Sequence, residues 1–251
     1  MHRTHRARSA LALLAAGAAL AATFSFTASD SSAAATSSTA ITVRVEGATK
    51  TLVPTTAVTL GAGTVVKDGI PADSCSAASA AGALELATRG NWQGTWSASF
   101  SAYFLTGIGG LVFPSTGAEY WAFWVNDAPA SEGICGYDPK PGDNLLFFPD
   151  CFGKTCPKSA GVLGASAPAV ATVGRPLKVT VTAYDDAKGT PSSAAGATVK
   201  GGGAVAKTGA GGTAKLSFTR PGHFTLRVGK RNAVRTELAV CVQTAAARTC
   251  R

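Results

Sequence analysis

The chain has 251 residues, 46% of them hydrophobic and 15% charged, with a formal charge of +9 at neutral pH. That apolar content with so few charges excludes a disordered polyelectrolyte. Of the three histidines, His2 and His5 stand at the extreme N-terminus, so only His223 is left for chemistry in the body of the chain, and machinery that needs several histidines is excluded.

Arg3, Arg6 and Arg8 precede the apolar run "ALALLAAGAALAATFSF", which passes into small residues ending Ala33-Ala34-Ala35. This pattern predicts a secretory signal peptide over residues 1–35, cut near Ala35. The run is Ala-rich and shorter than the roughly 20 residues a spanning helix needs, so no membrane span is expected after cleavage. No adjacent arginine pair and no lipid-accepting cysteine accompany it. The expected localisation is therefore secreted or extracellular, with attachment to the cell wall as an option. All six cysteines lie beyond this segment, and an even number in an exported chain reads as three disulfides. Connectivity is open from sequence; spacing favours Cys151 with Cys156 and Cys241 with Cys250, leaving Cys75 for Cys135. A zinc site would need a CxxC pair or a second histidine, and neither is present, so no metal is expected.

Charge is unevenly distributed. Residues 36–160 carry seven Lys and Arg against ten Asp and Glu, whereas residues 161–251 carry thirteen against three. Such a split suggests two domains in different surroundings. The basic half would be drawn to an anionic polymer or surface, or would simply be a soluble basic face; export argues against nucleic acid.

From residue 41, "ITVRVEG" alternates Ile41, Val43 and Val45 with Thr42, Arg44 and Glu46, a half-buried strand. "KTLVPTTAVTL" reads as a second strand, with Pro54 at an edge or bend. "ADSCSAASAAGALELATRG" is rich in Ala and Leu, has Asp73 or Ser74 as a cap and Gly90 as a stop, and predicts the main helix over about Cys75 to Thr88. Strand patterns return in "GTWSASFSAYFLTGIGG", "EYWAFWVND", "EGICGYDP" and "NLLFFPD". One helix on a small antiparallel or mixed sheet is an α+β layer arrangement, and a β-grasp-like domain over residues 40–152 is its economical form. "KSAGVLGASAPAVATVG" reads as linker, placed at 153–174. Beyond it, "LKVTVTAYD", "TAKLSF" and "HFTLRVGK" alternate between Gly-rich turns, which predicts an all-β Ig-like sandwich domain over 175–251.

The most unusual stretch is "YWAFWVNDAPASEGICGYDPKPGD", residues 120–143. On a strand, Trp121, Phe123 and Val125 point one way and Tyr120, Ala122, Trp124 and Asn126 the other. The first set is wholly apolar and belongs under the helix. The second can offer flat rings to a planar or carbohydrate-like small molecule, with Tyr120, Trp124 and Asn126 as candidate contacts; alternatively it packs against Trp92, Trp96 or the second domain.

The Y-W-x-F-x-V-N pattern followed by G-I-x-x-Y-x-x-x-x-G-D, with "AYFLTGIGG" and "ALELAT" before it, resembles the transcobalamin and intrinsic-factor C-terminal-like domain, a soluble-ligand-binding β-grasp group, over roughly residues 40–150. The resemblance implies Trp121, Phe123, Val125 and Asn126 as frame, Gly142 and Asp143 as the turn before the last strand, and Tyr120 and Trp124 as ligand contacts. In cobalamin carriers such a domain covers one face of the corrinoid and a helical domain supplies the rest; this chain has no helical domain. Residues 161–251 fall outside the resemblance and look like a bacterial Ig-like domain.

Catalytic residues are not evident. His223 sits in an "RPGH" turn without an evident nucleophile partner, and every cysteine is more simply used in a disulfide. Asp185 and Asp186 in "YDDAKGT" lack the alternating acidic ligands of a calcium loop and read as a strand-end turn. "KTGAGGTAK" lacks the strand-then-helix setting of a phosphate loop and reads as a hairpin. The basic strip has more content: Lys200, Lys207 and Lys215 flank Gly-rich turns, and Arg227, Lys230, Arg231 and Arg235 gather around the last turn. The expectation is thus a secreted, non-enzymatic binding protein without cofactor, holding a small molecule on the aromatic strand, or else an envelope-associated structural or adhesive protein attached through its basic domain to an anionic cell-wall polymer.

Overall fold

The computed structural model describes residues 40–114, 116–154 and 156–246. The expected signal peptide and Cys250 lie outside the described residues. The first half of the described chain runs β1 (Ala40–Glu46), β2 (Thr51–Thr59), β3 (Thr64–Val66), β4 (Ser74–Ser76), α1 (Ala80–Thr88), β5 (Trp92–Ser97), β6 (Ala102–Ile108), β7 (Leu111–Val112), β8 (Glu119–Val125), β9 (Ala128–Pro129) and β10 (Asn144–Cys151). The main sheet has the order β2-β1-β10-β8-β9, with β1 parallel to β10 and the other pairs antiparallel. Period-two alternation sends Ile41, Val43 and Val45 to one face, where they meet Leu84 of α1, Trp92 and Tyr103 of the β5-β6-β7 sheet, and Trp121 and Phe147.

This arrangement corrects the α+β β-grasp-like expectation. Among the described residues the chain is β-rich, with several sheets, and its one helix has nine residues, about two and a half turns. The Ala-rich run from Cys75 does not make the predicted long helix because its start is claimed by other partners. Cys75 pairs with Val65 in the β3–β4 ladder and is disulfide-bonded to Cys135. The helix begins only after Ser79, whose side chain makes no capping bond. Its first free amides are satisfied by the loop that Cys135 anchors: Ala80 N donates to Tyr137 O and Ala81 N to Ile134 O, at 2.9 and 2.8 Å. Arg89, in the left-handed region at φ 54°, ends it.

The second half runs β11 (Val162–Ser166), β12 (Val170–Thr172), β13 (Leu177–Tyr184), β14 (Pro191–Ser193), β15 (Thr198–Gly201), β16 (Ala204–Lys207), β17 (Thr213–Leu216), β18 (Gly222–Gly229) and β19 (Thr236–Gln243). One sheet is β11-β13-β14 with β17 also on β13; the other is β12-β19-β18-β15-β16. Val179, Val181 and Leu216 from the first sheet share a core with Leu226, Val228 and Val240 from the second. The stretch read as linker contributes β11 and β12. Its small residues hide the alternation, but its backbone completes both sheets, β11 against β13 and β12 parallel to β19.

The Cys75–Cys135 and Cys151–Cys156 disulfides are present, and Cys241 is disulfide-bonded too, although its expected partner Cys250 is not described. The first closes a 60-residue separation, a constraint on the unfolded chain worth about 4 kcal/mol in the loop-entropy account. Disulfides of this kind fit an extracellular protein. No helix among the described residues is long and apolar enough to cross a membrane.

Candidate functional site

The aromatic strand β8 divides its side chains as alternation requires. Trp121, 6% exposed, sits in the first core beside Phe113, and Phe123 stacks on Phe147 with centroids 4.9 Å apart. The opposite face is covered too. Trp124 is only 3% exposed and packs with Ala122, Leu146, Phe148 and Val162 in a third core, against which Tyr184 and Val234 of the second half also lie. Trp124 therefore presents no flat surface to solvent: β11, the end of β13 and the segment before β19 lie on it. Tyr120 is half-buried, with its hydroxyl donating to Asp150 Oδ2 at 2.8 Å and its ring 5.9 Å from that of Phe152. Burial, then the Asp150 carboxylate, push its phenol up to about 12.

Asn126 is a turn residue. Asn126 and Asp127, at φ 50° and 66°, form the two-residue link between β8 and β9, the backbone demanded when two strands with right-handed twist are joined so tightly. The Asn126 side chain donates to Asp143 Oδ1 at 2.7 Å and accepts from Asn144 N at 2.9 Å. Asp143, 7% exposed, also accepts from the Tyr137 hydroxyl at 2.7 Å and Lys140 N at 2.8 Å. Burial would raise the Asp143 carboxyl, but the donors from Lys140, Asn126 and Tyr137 outweigh it and hold the group below its ordinary value. The turn that precedes the last strand of the first half is thereby pinned to the aromatic strand. This is a framework, with its polar atoms already partnered.

Residues 83–148 match the family model of a domain of unknown function, DUF4430. The matched segment runs from α1 to Phe148 and so takes in the aromatic strand and the Asn126–Asp143–Tyr137 network, well under half of the chain. No curated protein matches the chain.

Two clefts adjoin the contact between the halves, and Arg235 lines both. One, of about 690 Å³, has Glu119, Tyr120, Asp150, Lys158, Ser159 and Asp186 on its walls. Much of its polar lining is engaged: Asp150 receives Tyr120 and the Cys151 amide, and Glu46 receives Arg235. The neighbouring Asp185 closes its own turn, accepting from the amides of Ala187, Lys188 and Thr190, and hydrogen bonding from Thr190 and Lys188 holds it down to about 2.

The other cleft, of about 670 Å³, is basic. It gathers Lys200, Arg227, Lys230, Arg231 and Arg235 from the predicted strip and adds Lys50, which sequence reasoning missed. Sheet register explains the gathering: Lys200 on β15 stands directly opposite Arg227 on β18, and Lys230 and Arg231 follow at the end of β18. Lys207, on β16, and Lys215, on β17 of the other sheet, do not line it. Glu237 is the one carboxylate of the lining, and it accepts the Thr55 amide at 2.9 Å. Among the described residues, no side-chain hydrogen bond or ion pair engages Lys50, Lys200, Arg227, Lys230 or Arg231. His223 is exposed on β18, opposite Cys241 and outside both clefts. No group of three His, Cys, Asp or Glu side chains among the described residues is placed to hold a metal ion.

Proposed function

We propose that the chain is an exported, non-catalytic binding protein that attaches to an anionic polymer of the cell envelope through its basic cleft. The observation that carries this reading is the set of five cations without carboxylate partners around a cleft of about 670 Å³. Lys200 and Arg227 repel each other from directly opposed positions, and Glu237, opposite Arg227 on β19, is the one carboxylate of the lining that offsets six cations. A polyanion relieves that repulsion, and the cleft lies within the roughly 300–1,000 Å³ range of ligand sites. The leader-like N-terminus and the disulfides support an extracellular setting for this chemistry. The small-molecule reading on Tyr120 and Trp124, and with it a corrinoid by resemblance to the transcobalamin domain, is set aside because Trp124 is covered.

The test is sedimentation of the purified protein with isolated cell-wall polymer at low and high salt. Wild type should co-sediment at low salt and be released as salt screens the contact. A Lys200→Gln, Arg227→Gln, Arg231→Gln variant should remain in solution, whereas Lys207→Gln, Lys215→Gln, with charges removed outside the cleft, should still bind. Similar loss from both variants would show that net charge alone is responsible and would sink the proposal.

A further inference from the structure

Arg235 does two things at the contact between the halves. Its guanidinium donates to Glu46 Oε2 at 3.0 Å, and also to Gly47 O at 2.8 Å and Ala48 O at 3.4 Å. Those two carbonyls belong to the turn between β1 and β2, which Gly47 N closes on Lys50 O at 2.8 Å. A residue of the second half thus fixes the turn of the first half that carries Lys50. The consequence is that Lys50, exposed and unpaired, lines the same cleft as Lys200 and Arg227 although 150 residues of sequence separate Lys50 from Lys200. Thr49 and Thr51, on either side of it, line the cleft as well; the Thr51 hydroxyl is engaged with Glu46, so Thr49 is the one that adds a hydroxyl.

We infer that the basic cleft is a bipartite site for a chain-like ligand bearing several anionic groups, in which Lys50 supplies the contact from the first half and the β15–β18 cations supply those from the second. This inference rests on the anion-binding reading above and narrows it: a lone anion satisfies one wall, whereas a repeat of phosphate diesters or of uronates satisfies both. Arginine forks on Arg227 and Arg231 suit the planar oxygen pairs of either group, so the shared chemistry is a linear polyanion. Bound across the cleft, it ties the halves together by the same route that Arg235 uses.

Isothermal titration calorimetry on the full protein at low ionic strength tests this, with orthophosphate, tripolyphosphate and a short oligogalacturonate as probes and with Lys50→Gln, Arg227→Gln and Lys207→Gln as variants. Tripolyphosphate or oligogalacturonate should bind at least about tenfold more tightly than orthophosphate, and the tighter of the two names the repeat. Lys50→Gln should weaken the oligoanion about tenfold, equivalent to about 1.4 kcal/mol, and leave orthophosphate unchanged. Arg227→Gln should weaken all three, and Lys207→Gln none. If Arg227→Gln weakens the oligoanions and Lys50→Gln does not, the site is confined to the second half: the bipartite site is overturned while the anion-binding reading stands. If wild type binds none of the probes, both fall.

Discussion

Arg235 and Glu46 form an ion pair at 3.0 Å although 189 residues apart in sequence, and Glu46 is 2% exposed. Arg44 holds the other carboxylate oxygen at 2.9 Å and also donates to Arg235 O, while Thr51 donates to the same carboxylate. A buried carboxylate is tolerated here because two guanidinium groups and a hydroxyl satisfy it.

Removing Arg235 should therefore cost more than a surface ion pair. Arg235→Met leaves Glu46 buried with Arg44 as its remaining cation and frees the carbonyls of Gly47 and Ala48. The expected loss is about 3 kcal/mol, the lower end for breaking a buried pair, because one partner remains. Urea unfolding measures it. The double variant Glu46→Gln, Arg235→Met should recover part of the loss, since it no longer buries an under-paired charge.

Trp121 and Trp124 lie on opposite faces of β8, and both faces are buried. Trp121→Ala and Trp124→Ala should each cost about 3–5 kcal/mol, the range for deleting a large core ring. A Trp124 variant with unchanged melting temperature would mean that the second half does not cover that face in solution, and would reopen it as a binding surface.

The two faces of β8 illustrate what sequence can carry. Alternation separates Trp121, Phe123 and Val125 from Tyr120, Ala122 and Trp124, because the pleat has period two. It does not say what lies on the second face; that is set by Val162, Tyr184 and Val234, which come from later in the chain. The helix shows the opposite limit. Ala and Leu favour helix back to residue 75, but a ladder to Val65 and a bond to Cys135 override propensity at Cys75. Once the even cysteine count is read as disulfides, the pair 151–156 was legible from spacing and 75–135 as the pair left over. Arg227, Lys230, Arg231 and Arg235 were legible as a cluster because they are neighbours in sequence. Lys50 was not, since nothing local marks the β1–β2 turn as docked; the nearest signal is the charged pair Arg44 and Glu46 on the polar face of β1, which a purely solvent-facing strand does not need.

The last prediction concerns pH and the Asn126–Asp143–Tyr137 network. The Asp143 carboxyl lies below its ordinary value of 3.8 because donors from Lys140, Asn126 and Tyr137 overcome the effect of burial. A carboxyl depressed in the folded state binds its proton more readily in the unfolded one, so it stabilises the fold above the unfolded value and loses that contribution as pH falls through the folded value. Asp143→Asn cannot change charge and keeps only part of the accepting capacity. Wild type should therefore exceed the variant in stability most at neutral pH, and the gap should narrow as pH falls below the ordinary carboxyl value of 3.8. Tyr137 gives the mirror image at the alkaline end. Burial, then the Asp143 carboxylate, push its phenol up from 10.0 to about 12, so its contribution is complete below the unfolded value and lost as pH rises through the folded one. Tyr137→Phe should be less stable than wild type at neutral pH, and that deficit should shrink above pH 10. Urea titrations of the three proteins from acid to alkaline pH read both ends, and a gap between wild type and Asp143→Asn that does not narrow on acidification below the ordinary carboxyl value of 3.8 would show that Asp143 is not the carboxylate that pins the turn.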